Sequence, residues 1–67
     1  MNWDQVEGNW KQFSGQIKQK WAKLTDDDLK LINGKRIELV GKIQERHGIT
    51  KELVEKQLDT FMNGLTK

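Results

Sequence analysis

A chain of 67 residues holds one domain and no more. It contains no cysteine, which excludes disulfides and thiolate metal sites, and its lone histidine, His47, cannot build a zinc centre. Charged residues (33%) and apolar residues (34%) are present in nearly equal shares, a composition close to that of disordered chains, but the net charge of only +2 and a clean helical periodicity point to an ordered fold.

A core of this size supplies only ~3–5 kcal/mol, so helix packing and capping must carry the stability. No apolar stretch approaches the ~18 residues of a membrane span. The opening Met1-Asn2-Trp3-Asp4-Gln5 lacks the basic start and apolar run of a secretory signal. The expected compartment is the cytoplasm, without a membrane partner.

The chain has no proline, and its apolar residues follow a helical period. At ~100° per residue, Trp3, Val6, Trp10, Phe13, Ile17, Trp21 and Leu24 fall within an arc of roughly 80°. That stripe predicts a first helix over 3–22. Thr25 is a natural N-cap, and Asp26, Asp27 and Asp28 place negative charge in the first turn of a second helix over 26–32. Leu24 and Leu29 have the spacing of a hydrophobic staple, and Asn33-Gly34 ends the helix in a turn. A third helix over 35–47 buries Leu39, Val40 and Ile43, and Gly48 suits the left-handed residue that closes it. Thr50 then caps a fourth helix over 50–63, with Ile49 able to staple to Val54. Its stripe is Val54, Leu58, Phe61, Met62 and Leu65, and fraying is expected after Gly64. Short turns require neighbouring helices to pack. The predicted fold is all-α: a compact four-helix bundle of two packed helical hairpins. A sparse internal repeat is consistent with this, with Gly8 and Gly15 echoed by Gly34 and Gly41, Phe13 by Leu39, and Ile17 by Ile43.

Gly8-Asn9-Trp10-Lys11-Gln12-Phe13-Ser14-Gly15, Trp21-Ala22-Lys23-Leu24-Thr25-Asp26-Asp27-Asp28, Gly34-Lys35-Arg36, and Leu39 through Gly48 together resemble the CsbD-like family of small bacterial stress proteins. The resemblance runs over about 3–60, nearly the whole chain. It implies a cytoplasmic protein induced in general stress, with a four-helix arrangement of the SAM-domain-like kind. It brings no enzymatic activity, cofactor or catalytic residue. Ala22 stands where a glycine is common, His47 where an aromatic is common and Asn33 where an acidic residue is usual. These departures are conservative for folding.

The residues themselves offer few sites. Three consecutive helical aspartates point in three directions and do not converge on a cation, so they read as a capped helix start. The tryptophans read as core, with Trp3 and Trp21 only partly covered. His47 beside Gly48 reads as a cap on the last carbonyls. The glycines are less expected, because each one inside a helix costs ~1 kcal/mol relative to alanine. Gly8, Gly15 and Ala22 lie opposite the stripe of the first helix, bordered by Lys11 and Lys18. Gly41 lies on the back of the third, near Lys35 and Lys42. These residues (Gly8, Lys11, Gly15, Lys18, Lys35, Gly41 and Lys42) form the candidate binding face, unless the glycines simply mark breaks in the helices. Residues 1–24 and 35–48 are each basic, and the chain's pI is about 9.0. The expected function is a non-enzymatic stress-response protein acting by binding or protection. The alternatives are a nucleic-acid-binding module using the glycine–lysine face, or a homo-oligomeric interaction domain. No metal, cofactor or small-molecule substrate is expected.

Overall fold

The structure, a computed structural model, describes residues 2–65. These residues form five α-helices and no strand: α1 (Trp3–Gly8), α2 (Trp10–Lys20), α3 (Asp26–Ile32), α4 (Arg36–His47) and α5 (Lys51–Leu65). The molecule measures 29 × 23 × 19 Å.

The predicted first helix is two helices, which corrects the four-helix count. Asn2 opens α1 with a capping box. Its side chain accepts from the Gln5 N–H (3.1 Å), and Gln5 Oε1 accepts from the Asn2 N–H (3.2 Å). The run ends at Asn9, whose φ of −118° and ψ of 38° lie outside the helical region. Asn9 serves both helices. Its N–H and its side-chain amide both donate to the Gln5 carbonyl, closing α1, and its own carbonyl accepts from Gln12 and Phe13, opening α2. Asparagine can do this because its short amide competes with the backbone ladder. The hydrophobic stripe survives the break, which is why periodicity alone did not reveal it. Gly8 sits at that break, whereas Gly15 lies inside an unbroken α2.

The helix also stops at Lys20 rather than Ala22. Trp21 leaves the helical region (ψ 78°), and the Leu24 N–H donates to its carbonyl at 3.0 Å. That tight turn sends both Trp21 and Leu24 into the core. Thr25 then caps α3 as expected. Its Oγ1 accepts from the Asp28 N–H (3.1 Å), and the Asp28 carboxylate accepts from the Thr25 N–H (3.0 Å). Asn33 (φ 46°) and Gly34 (φ 84°) turn the chain into α4, and Gly48 (φ 63°) closes α4 in the left-handed region. Thr50 Oγ1 accepts from the Leu53 N–H at 3.2 Å, and α5 continues through Gly64 to Leu65, which packs against the core. The expected fraying after Gly64 does not occur at Leu65, which is helical and held by the core, and the rest of it falls on 66–67, outside the described residues.

The core consists of Val6, Phe13, Ile17, Trp21, Leu24, Leu29, Ile32, Leu39, Val40, Ile43, Val54, Leu58 and Met62. Every helix contributes at least one of these residues. Helix α4 packs against both α3 and α5, so it is the central element. The tryptophans form polar links between elements as well as filling space. Trp3 Nε1 donates to the Gly34 carbonyl (2.7 Å), Trp10 Nε1 to the Leu29 carbonyl (2.9 Å) and Trp21 Nε1 to Gln57 Oε1 (2.9 Å). An indole has one donor, and burial requires that it find a partner. These bonds tie α1 to the α3–α4 turn, α2 to α3, and the end of α2 to α5. Trp21 is the fully buried one, at 2% exposure, against the expectation of partial cover; Trp3 and Trp10 are half-buried.

Candidate binding surface

The start of α3 is where the charged residues converge. Asp28 is buried, with 3% of its surface exposed. Arg46 grips it through both arms of its guanidinium, Nε to Oδ2 at 2.8 Å and Nη2 to Oδ1 at 3.0 Å. Lys42 Nζ lies 3.8 Å from the same carboxylate. The Arg46 bonds and the Thr25 N–H hold the Asp28 carboxyl far below the usual carboxylate range, and the pair raises Arg46 in turn. A buried charge requires such a partner. The aspartate run is therefore a capped helix start, as read from the sequence, and also the α3 end of an ion pair to α4. Asp26 is exposed and accepts from Lys18 at 2.6 Å, which lowers its carboxyl pKa as well.

The seven candidate residues are distributed as follows. Lys18 and Lys42 both reach the start of α3, where aspartates neutralise them; Lys42 also lies 3.3 Å from Glu45. Gly8, Gly15 and Gly41 are exposed, and a Cβ added at any of them would meet nothing within 4 Å. Gly41 stands beside Ile37, which is 85% exposed, along a groove between α4 and α5 that also touches Val40 and Gln44. Lys35 lines a separate groove with Trp3, Glu7 and Glu38. Lys11 lines a third. His47 makes no cap on the last carbonyls: its Nε2 is buried without a hydrogen-bond partner, and the Gly48 N–H closes α4 on Gln44.

The groove at Lys11 runs between α2 and α3 and has a volume of about 480 Å³. Trp10 and Leu29 supply its apolar surface, Lys11 and Lys30 its positive charge, and Ser14 and Asn33 further polar atoms. Asp26 also lines it, but its charge is balanced by Lys18. Among the described residues, no acidic group lies within ion-pair distance of Lys11 or Lys30, although Lys30 acts on the Asp26 carboxylate at longer range. The Trp10 ring is fixed by its bond to Leu29. Sequence reasoning found Lys11 but not Lys30, Leu29 or Asn33, since nothing in the local pattern reveals which side chains of α3 face Trp10. Among the described residues, no group of three or more His, Cys, Asp or Glu side chains could hold a metal ion, and no helix is long and apolar enough to cross a membrane.

The family model for CsbD-like proteins matches residues 4–56. The chain belongs to the CsbD-like family. Among curated proteins, this CsbD-like chain is 57% identical to the UPF0337 protein YjbJ of Escherichia coli O6:H1, over 91% of the chain and 88% of that protein. It is 62% identical to a UPF0337 protein of Pectobacterium atrosepticum, over 87% and 84%. It is 55% identical to a UPF0337 protein of Rhodopseudomonas palustris, over 97% and 98%. The CsbD-like match takes in α2, α3 and α4, and with them every residue that lines the Trp10 groove.

Proposed function

We propose that this CsbD-like protein is a non-enzymatic stress-response protein of the bacterial cytoplasm, acting by binding and protecting a partner through the groove between α2 and α3. The observation that carries this reading is the unequal treatment of the lysines. Lys18 and Lys42 are paired with acids within the fold, whereas Lys11 and Lys30 flank a fixed, half-buried tryptophan and form no ion pair among the described residues. Lys30 also complements the C-terminal end of the α3 dipole, and two cations beside an apolar platform suit an anionic partner with a flat apolar part. We also read the five helices as the SAM-domain-like arrangement implied by the family, its first helix divided at Asn9.

The test is deletion of the gene followed by challenge with a panel of stresses, and complementation. Deletion lowers survival in at least one stress, the wild-type chain restores it, and a folded Lys11→Ala/Lys30→Ala chain does not. Unchanged survival under every stress, or full rescue by the double variant, overturns the reading.

A second reading, self-association, is favoured by Ile37 and Leu31, which are 85% and 70% exposed. The open space above Gly41 lets another backbone approach α4 closely. In that case the oligomer forms through α4 and Ile37→Glu abolishes it. A chain that sediments as a monomer at high concentration rules it out.

A further inference from the structure

We infer that the groove between α2 and α3 binds a nucleobase together with its phosphate, the base lying against Trp10 and the phosphate held by Lys11 and Lys30. This rests on the binding reading above and names the chemistry of its ligand.

The argument starts from what the groove offers. A tryptophan face is a general platform for nucleobases, because every base has a π-face. Platforms work best when they do not have to be ordered on binding. Trp10 meets that condition: its indole N–H is bonded to the Leu29 carbonyl at 2.9 Å, and the ring packs at 6.5 Å from Trp3. The cations come from both walls, Lys11 from α2 and Lys30 from α3. Both residues are exposed, so their ammonium groups are accessible to a ligand. The one acid lining the groove, Asp26, is bonded to Lys18 at 2.6 Å and also attracts Lys30 at longer range, so one carboxylate faces three ammonium groups and the balance stays positive. Ser14 Oγ donates to the Lys11 carbonyl and still has lone pairs to accept with, and Asn33 brings an amide with both donor and acceptor atoms. A volume of about 480 Å³ is within the range of small-ligand sites. An acidic peptide would use the lysines but not the aromatic face, and an apolar peptide would leave two ammonium groups beside it. A base with its phosphate uses all of these features.

The same chemistry could come from a free nucleotide or from a single-stranded nucleic acid. The experiment uses the full-length, isotope-labelled protein and follows its backbone amides and indole N–H groups by NMR at low salt. The probes are adenosine, adenosine monophosphate and an oligothymidylate of about eight nucleotides. The expected result is that the Trp10 indole N–H and the amides of Lys11, Ser14, Lys30 and Asn33 move together. The monophosphate should shift them at lower concentration than adenosine. Oligothymidylate binding at least about tenfold tighter than the monophosphate identifies a single strand as the source, and comparable affinities identify a free nucleotide. On a single strand binding weakens with salt, with a logarithmic slope of about −0.7 for the one phosphate held. In Lys11→Ala/Lys30→Ala that slope falls towards zero and affinity drops about tenfold or more. Silence at Trp10 with every probe overturns the inference. So do shifts centred on Lys51 or Lys56, or a double variant that binds as well as the wild type. If the double variant fails to restore stress survival while no probe binds, the groove's role stands and its nucleobase chemistry is wrong.

Discussion

Gly34 offers the sharpest test of how the first helix docks. Its φ of +84° is a conformation that an L side chain enters at a cost of about 1–2 kcal/mol. A Cβ there would also lie 2.8 Å from Glu7 Cγ, 3.2 Å from Glu7 Cα and 3.3 Å from the Glu7 carbonyl oxygen. The Glu7 side chain can swing aside, but the backbone of α1 must retreat by a few tenths of an ångström. That movement pulls on the 2.7 Å bond from Trp3 to the Gly34 carbonyl and costs about 1 kcal/mol more. Gly34→Ala therefore loses about 2–3 kcal/mol, most of the ~3–5 kcal/mol available to so small a domain. Gly48→Ala is the control. It has the same sign of φ, +63°, but nothing within 4 Å, so it loses only the dihedral cost of about 1–2 kcal/mol. Gly15→Ala and Gly41→Ala lie inside helices with open space around them and should each gain about 0.5–1 kcal/mol. The assay is urea and thermal unfolding followed by far-UV circular dichroism, where each kcal/mol moves Tm by about 4–8 °C in a domain of this size. The expected order of stability is Gly41→Ala and Gly15→Ala, then wild type, Gly48→Ala and Gly34→Ala. If Gly34→Ala proves no less stable than Gly48→Ala, α1 does not rest on the α3–α4 turn and the docking described above is wrong.

Other consequences can be measured on the same samples. The Asp28 carboxyl is held below the usual carboxylate range, so it stays ionised in the fold at pH values where the unfolded chain takes up a proton. Its contribution is complete above the ordinary pKa of ~3.9 and is lost as pH falls through that value towards the folded one. In Asp28→Asn the acid limb of the stability–pH curve should be shallower and the protein weaker at neutral pH; an unchanged limb counts against the Arg46 pair. Trp21→Ala empties the largest fully buried site, at a cost of about 3–5 kcal/mol, and should abolish the cooperative transition. A well-formed transition in that variant shows that α2 and α5 hold together by other means. Asn9→Ala removes the side-chain bond to Gln5 and favours one longer helix, so helicity should rise while the Trp3 indole resonance moves; an unmoved resonance argues that Asn9 does not set the angle of α1.

The local rules of helix formation were legible in the sequence. Thr25 and the aspartates, Gly48 in the left-handed region and the staggered apolar positions each act over a single turn or along a single face, so short-range patterns suffice to find them. The family was also legible, because its motifs are contiguous. The break at Asn9 was hidden because α1 and α2 keep one continuous stripe, and a hydrophobic pattern does not register a local change of axis. Partners across the fold were hidden for a simpler reason. Arg46 lies 18 positions from Asp28, Gln57 lies 36 from Trp21, and Lys30 meets Trp10 only because two helices pack. Whether a lysine is balanced or free is likewise a question of distance. By itself, then, the sequence determined an all-helical chain, its caps at Thr25, Gly48 and Thr50, most of its core and its family. Only the tertiary structure decided which charges pair, which tryptophan is fully buried and which side chains of α3 face Trp10, because those outcomes depend on groups brought within a few ångströms by packing.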